Sequence, residues 1–197
     1  MVKKYMILQY NSPVVLTFGL ISFFALLLGN MTDFSSTRAV FSVYSTSFQD
    51  LRSPLFYIRL FGHVLGHYNF EHFFNNMIML LLLGPIMEEK YGYKRVILMI
   101  VITAFITGIV HIVFFGTILL GASGIVFMFM LLASFTNIRS GKIPLTLVLC
   151  VIIFIGREIH DAITANDNIS QAAHIIGGIL GAIFGFYANR KGDLKTA

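Results

Sequence analysis

The chain has 197 residues, of which 57% are hydrophobic and 12% charged, about half the charged share of a soluble globular domain. A net charge of +5 could suit an acidic partner. The basic residues are scattered through short connections and form no stripe with interleaved aromatics, so nucleic acid is not the expected partner.

The apolar residues fall in long runs, and about 20 of them in a helix rising 1.5 Å per residue span a bilayer core roughly 30 Å thick. Six such segments follow in chain order: about Val14 to Gly29, Phe70 to Met87, Val96 to Phe115, Ile118 to Phe135, Leu145 to Ile159, and Ala172 to Ala188. All are expected to be helices, because a segment facing lipid must satisfy its own backbone hydrogen bonds. Together they use nearly the whole length, which predicts a single membrane domain over residues 1–197. Cys150, the single cysteine, lies inside the fifth run, so no disulfide framework can form within the chain.

The first segment follows Lys3 and Lys4, as the apolar region of a signal peptide would. Leu27 stands where a cleavage site before Gly29 would need a small residue, so the segment is expected to be a retained helix. Residues 30 to 66 form a long connection that mixes Phe, Tyr, Leu, Ser and Arg from Arg38 to His67, and predict interfacial, partly helical structure. The fifth segment is short and ends in Arg157, Glu158 and His160, which predicts a frayed or tilted outer end.

Orientation follows from the basic residues. With the N-terminus cytoplasmic, Lys3, Lys4, Lys90, Lys94, Arg95, Arg139, Lys142, Arg190, Lys191 and Lys195 fall on that side. Arg38, Arg52, Arg59 and Arg157 fall on the other. Both termini are therefore expected inside. On this topology His67, His72 and Asn76 sit near the outer end of the second span, Ser123 near that of the fourth, and His174 near that of the sixth. Polar groups are costly in hydrocarbon and face a bundle interior or a wet cavity, so three distant sites at one depth make a functional candidate.

Ser123 lies in Gly121-Ala122-Ser123-Gly124 at a helix start. Glycines permit a tight turn and close substrate approach, while free N–H groups at a helix N-terminus can stabilise an oxyanion. Small residues in that pattern equally permit close helix packing. His174 is followed by Gly177 and Gly181, spaced i and i+4, a face that would bring the imidazole towards a neighbouring helix. Alternatively it is a structural histidine bonded to a carbonyl; paired with a serine at matched depth it reads as a dyad. His72 and Asn76 share a helix face at i and i+4. They would serve as oxyanion donors beside the Ser123 backbone N–H, or else as interhelical hydrogen-bond partners. His67 and His63 read as structural, tying the outer connection to the second span.

These residues together resemble the rhomboid family over most of the chain. The resemblance is carried by His67-x4-His72-x3-Asn76, by Gly121-Ala122-Ser123-Gly124 as its GxSG motif, and by Ala173-His174 with the trailing glycines. Gly84-Pro85-Ile86-Met87-Glu88 is similar to its GxxxE, and Arg59 to the arginine of a tryptophan-arginine pair in the first loop. Two departures are visible: Ile58 replaces that tryptophan, and Phe127 stands where tyrosine is frequent. Phe127 can stack on the His174 ring but cannot hydrogen-bond.

The resemblance implies a six-helix, all-α integral membrane bundle with a long first outer loop, in a minimal form located in a bacterial plasma membrane. It also implies a serine endopeptidase that cuts single-pass transmembrane substrates within or beside the bilayer, without metal or cofactor. Ser123 would form the acyl-enzyme and His174 would take its proton and return it to the leaving amine, with no carboxylate placed to complete a triad. Helical carbonyls are hydrogen-bonded, so substrates would carry helix-destabilising residues near the cut. A second reading is an inactive rhomboid-like protein that binds transmembrane clients. A third is a metal or haem protein using His63, His67, His72 and His111, although no HExxH pair is present.

Overall fold

A computed structural model describes residues 9–45, 51–135 and 169–190, together with Leu145, Val148, Leu149, Ile152, Ile153 and Gly156. The described elements are α1 (Pro13–Met31), α2 (Ser35–Val40), α3 (Pro54–Gly62), a 3-10 turn (His63–Leu65), α4 (Phe70–Tyr91), α5 (Tyr93–Phe114), α6 (Ser123–Phe135) and α7 (Ile169–Arg190). Among the described residues four helices are long and apolar enough to cross a membrane: α1, α4, α5 and the Gln171–Ala188 part of α7; α6 is a shorter apolar helix. The fifth predicted span, Leu145 to Ile159, falls largely outside the described residues.

Polar contacts join α1 to α4 at one end of the bundle. Pro13 opens α1, where its missing N–H costs nothing. The carboxylate of Glu88, from α4, accepts from the backbone N–H of Val14 at 3.1 Å and of Val15 at 2.9 Å. This caps α1 from another helix, satisfying donors that a helix start otherwise leaves unpaired. Gly84 faces Val15 so closely that an added Cβ would lie 2.9 Å from Val15 Cγ1. Here α4 continues through Pro85 to Tyr91, four residues beyond the expected end at Met87. A single residue, Gly92 at φ +78°, then reverses the chain into α5, a left-handed conformation that suits glycine.

The connection after α1 folds back into the bundle. Arg59 Nε donates to the Ala39 carbonyl at 2.7 Å and the guanidinium lies 5.3 Å from the Tyr44 ring, which joins α2 to α3. Ile58, the residue in place of the family tryptophan, is 50% exposed. On the other side of α3, Phe61 stacks on Phe105 and Leu60 packs on Gly108. Phe105 lies nine residues before the end of α5, about 14 Å at the helical rise. The connection is thus helical in part, through α2 and α3, and α3 rests against α5.

The start of the fourth span also departs from expectation. The apolar run predicts a helix from Ile118, but the helix begins at Ser123. Leu119 instead pairs with Val43 in an antiparallel bridge, each N–H donating to the other's carbonyl at 3.0 to 3.1 Å. An apolar run of this length carries no helical period to separate a buried extended stretch from a helix, and the long-range pairing decides.

Candidate active site

Among the described residues, α6 and α7 pack backbone against backbone. A Cβ on Gly177 would overlap the Gly124 carbonyl oxygen, and one on Gly181 would overlap that of Met128. The two contacts advance together along both helices, so α6 and α7 run parallel with almost no space between their backbones. A Cβ on Gly124 would lie 3.2 Å from the Ala173 carbonyl oxygen. Residues 123 and 174, each the chain neighbour of one of these, therefore occupy the same end of the pair. The His174 ring packs on Phe127 with centroids 4.4 Å apart and planes tilted by 42°. Phe127 is one turn after Ser123 and shares its helix face. The expected stacking is thus a tilted contact.

The loop before Ser123 is held by both its glycine and its neighbours. Gly121 has φ +125°, and an added Cβ would lie 2.7 Å from Cε1 of the His72 ring. Any side chain there would be strained and would displace His72. The Gly121 N–H donates to the His63 carbonyl at 2.9 Å. The His63 ring meets Thr107 Oγ1 at 3.3 Å through Nε2 and the Leu60 carbonyl at 3.1 Å through Nδ1. The Thr107 methyl in turn lies 3.5 Å from the Cβ position of Gly124. Thr107 sits seven residues before the end of α5, so the Gly121-Ala122-Ser123-Gly124 loop is recessed about 10 Å from that end.

His72 occupies the first turn of α4, where its N–H donates to Asn69 Oδ1 at 2.8 Å in an N-cap. Its ring lies beside those of His67, at 5.1 Å, and Tyr68, at 6.2 Å. Asn76 is buried and donates through Nδ2 to the His72 carbonyl at 2.9 Å, which uses one of its two amide hydrogens. The His111 Nε2–H donates to the Thr117 carbonyl in the next loop at 2.8 Å, and the ring stacks on Phe115. Among the described residues no three His, Cys, Asp or Glu side chains converge as metal ligands.

His63 and His67 lie in the connection before α4. Burial lowers the His63 pKa to about 4 and that of His67 to about 3, with the nearby His72 adding to the second shift. Both are held neutral, and both serve as supports: His67 Nδ1 meets the Leu65 carbonyl at 3.2 Å and its ring packs edge-on to Phe73. Asn69, Thr107 and the Val43–Leu119 pairing are absent from the sequence reading. An asparagine just before an apolar run is a recognisable N-cap signal for the first; a threonine inside an apolar run gives no such signal for the second.

The Rhomboid domain family model matches residues 55–191, which covers α3 to α7 and all the candidate site residues. The chain is also 25% identical over 146 residues to the rhomboid protease GlpG of Serratia proteamaculans (strain 568), covering 72% of this chain and 52% of that protein. It therefore spans about half the length of this relative. With its apolar helices, the match identifies an integral multi-pass membrane protein. This chain, with its parallel glycine seam and its recessed Gly121-Ala122-Ser123-Gly124 loop, belongs to the rhomboid family.

Proposed function

We propose that the protein is an intramembrane serine endopeptidase in which Ser123 is the nucleophile and His174 the general base. The observation that carries this reading is the contact of the His174 ring with Phe127, on the Ser123 face of a helix whose backbone touches that of α7. A base must lie within hydrogen-bonding reach of its nucleophile, and a seam of facing glycines is what lets two helices approach closely enough.

In the proposed reaction His174 accepts the Ser123 proton as Oγ attacks the scissile carbonyl, and returns it to the leaving amine. The Ser123 backbone N–H, at the first position of α6, has no intrahelical partner and can donate to the oxyanion. The His72 ring over Gly121 and the second amide hydrogen of Asn76 supply the other donors. Deacylation needs water, which in this reading reaches Ser123 past the polar side chains of His72 and Asn76.

The substrates in this reading are transmembrane segments of other proteins, opened near the cut by helix-destabilising residues. The distribution of Lys and Arg supports cytoplasmic termini, with the site opening to the extracytoplasmic side. Purified protein in liposomes should cleave a single-span reporter, and Ser123→Ala should lower the rate by at least about 10³-fold. Cleavage that survives Ser123→Ala, or that chelator abolishes, would refute the serine mechanism. A folded wild type that binds reporters without cutting them would favour the client-binding alternative.

A further inference from the structure

Among the described residues three groups border the His72 imidazole, and the packing of the bundle fixes two of them. The Gly121 backbone comes so close that a Cβ there would lie 2.7 Å from Cε1, and the Gly121 N–H is tied to the His63 carbonyl. The buried His67 ring meets His72 at 5.1 Å with the planes 66° apart, and is itself held by the Leu65 carbonyl and Phe73. The third group is Tyr68, whose ring lies within 24° of parallel to His72 with centroids 6.2 Å apart. Tyr68 is 53% exposed and stands between the 3-10 turn and α4, outside any helix. It therefore needs a support of its own.

Phe34, in the turn between α1 and α2, gives that support. Its ring stacks on Tyr68 with centroids 5.5 Å apart and planes 13° from parallel, and the Arg38 guanidinium lies 5.6 Å from its centroid. The Phe34 backbone is left-handed, at φ +66°, and follows Asp33 at φ +49°. Its N–H donates to the Gly29 carbonyl at 2.7 Å, which closes the end of α1. Such a closure asks only for the backbone conformation, which glycine or asparagine adopts more readily than a bulky aromatic. Strain of this kind persists where the surroundings over-determine it, and it gathers at functional sites. What a phenylalanine adds here is its ring.

We infer that Tyr68 and Phe34 are positioning residues: their stack sets the tilt of the His72 imidazole over Gly121, so that its N–H is aimed before charge develops on the oxyanion. The inference rests on the reading of His72 as an oxyanion donor. Such a donor is effective because it needs no reorganisation at the moment of reaction. The torsion that turns an imidazole is intrinsically broad, so only neighbouring groups can define its plane. In this role neither Tyr68 nor Phe34 touches the reacting atoms, and both act through His72.

Two measurements on the full chain test this. The first follows the His72 Cε1–H resonance of carbon-13 histidine-labelled protein in detergent, assigned by its loss in His72→Gln. Tyr68→Leu and Phe34→Gly should broaden or split that resonance, whereas Tyr68→Phe, which keeps the ring, should leave it sharp. The second is steady-state cleavage of a single-span reporter in liposomes. Tyr68→Leu and Phe34→Gly should each lower kcat about threefold to tenfold with KM unchanged, the factor one aromatic pair is worth. Tyr68→Phe should keep the wild-type rate. Added to His72→Ala, Tyr68→Leu should lower the rate no further, because the residue through which it acts is gone. Residues that merely hold the fold together would cost the same with His72 or without it. An unperturbed His72 resonance in Tyr68→Leu, or a Tyr68→Leu loss that persists in full beside His72→Ala, would overturn the inference. If cleavage survives Ser123→Ala the serine reading falls, and the resonance alone decides whether the stack sets the ring.

Discussion

Asn76 spends one amide N–H on the carbonyl of His72 and keeps the other, and this division suits an oxyanion donor. The bond to the residue one turn earlier fixes the side-chain rotamer, so the free N–H needs no reorganisation when charge develops. Asn76→Ala should lower kcat by about 10²–10³ while KM changes little, because the donor acts on the tetrahedral species and not on the bound ground state. Steady-state cleavage of a transmembrane reporter in liposomes measures both; an unchanged kcat would remove Asn76 from the site. The candidate histidines, serine and asparagine were legible in the sequence because a polar side chain in an apolar run stands out. What could not be read was the local chemistry. Glu88 is marked by its motif, yet its use as a cap for α1 depends on which helix end lies across from it.

Helix α7 owes its position to two glycines, and the same spacing was visible in the sequence. Gly177 and Gly181 meet the carbonyl oxygens of Gly124 and Met128, contacts that leave no room for a side chain. Gly177→Val should therefore push α7 away, carrying His174 with it. Overpacking of this kind costs about 1–3 kcal/mol, so the variant should melt lower and lose cleavage, as thermal unfolding and reporter assays would show. A variant with wild-type melting and full activity would mean that the seam does not position the dyad. The start of α6 was not legible. Ile118 to Ala122 is as apolar as the helix that follows, and only the distant Val43 draws Leu119 into an extended pairing. The docking of α3 on α5 was hidden for the same reason, since it depends on Phe105 and Gly108 of another element.

Stability of the whole molecule should follow the two buried histidines of the first connection. Unfolded, both titrate near the ordinary 6.5; folded, they titrate at about 4 and about 3. Between these values and 6.5 the unfolded chain binds more protons than the folded one, so stability rises with pH across that window. Their contribution is complete above about 6.5 and is lost as pH falls towards 4 and below. Thermal unfolding in detergent should accordingly move to lower temperature from pH 7 to pH 4.5, and a conservative His63→Gln variant should show a shallower slope. A melting temperature flat across this range would contradict the buried, neutral state of these rings. At this scale the class of the protein was open to the sequence, because composition and run length alone demand helices in lipid. The direct test of the central claim is to treat the detergent-solubilised protein with a fluorophosphonate probe and map the adduct by mass spectrometry. Modification of Ser123 that is lost in His174→Ala is the predicted result; modification of another residue, or of Ser123 at an undiminished rate without His174, would contradict it.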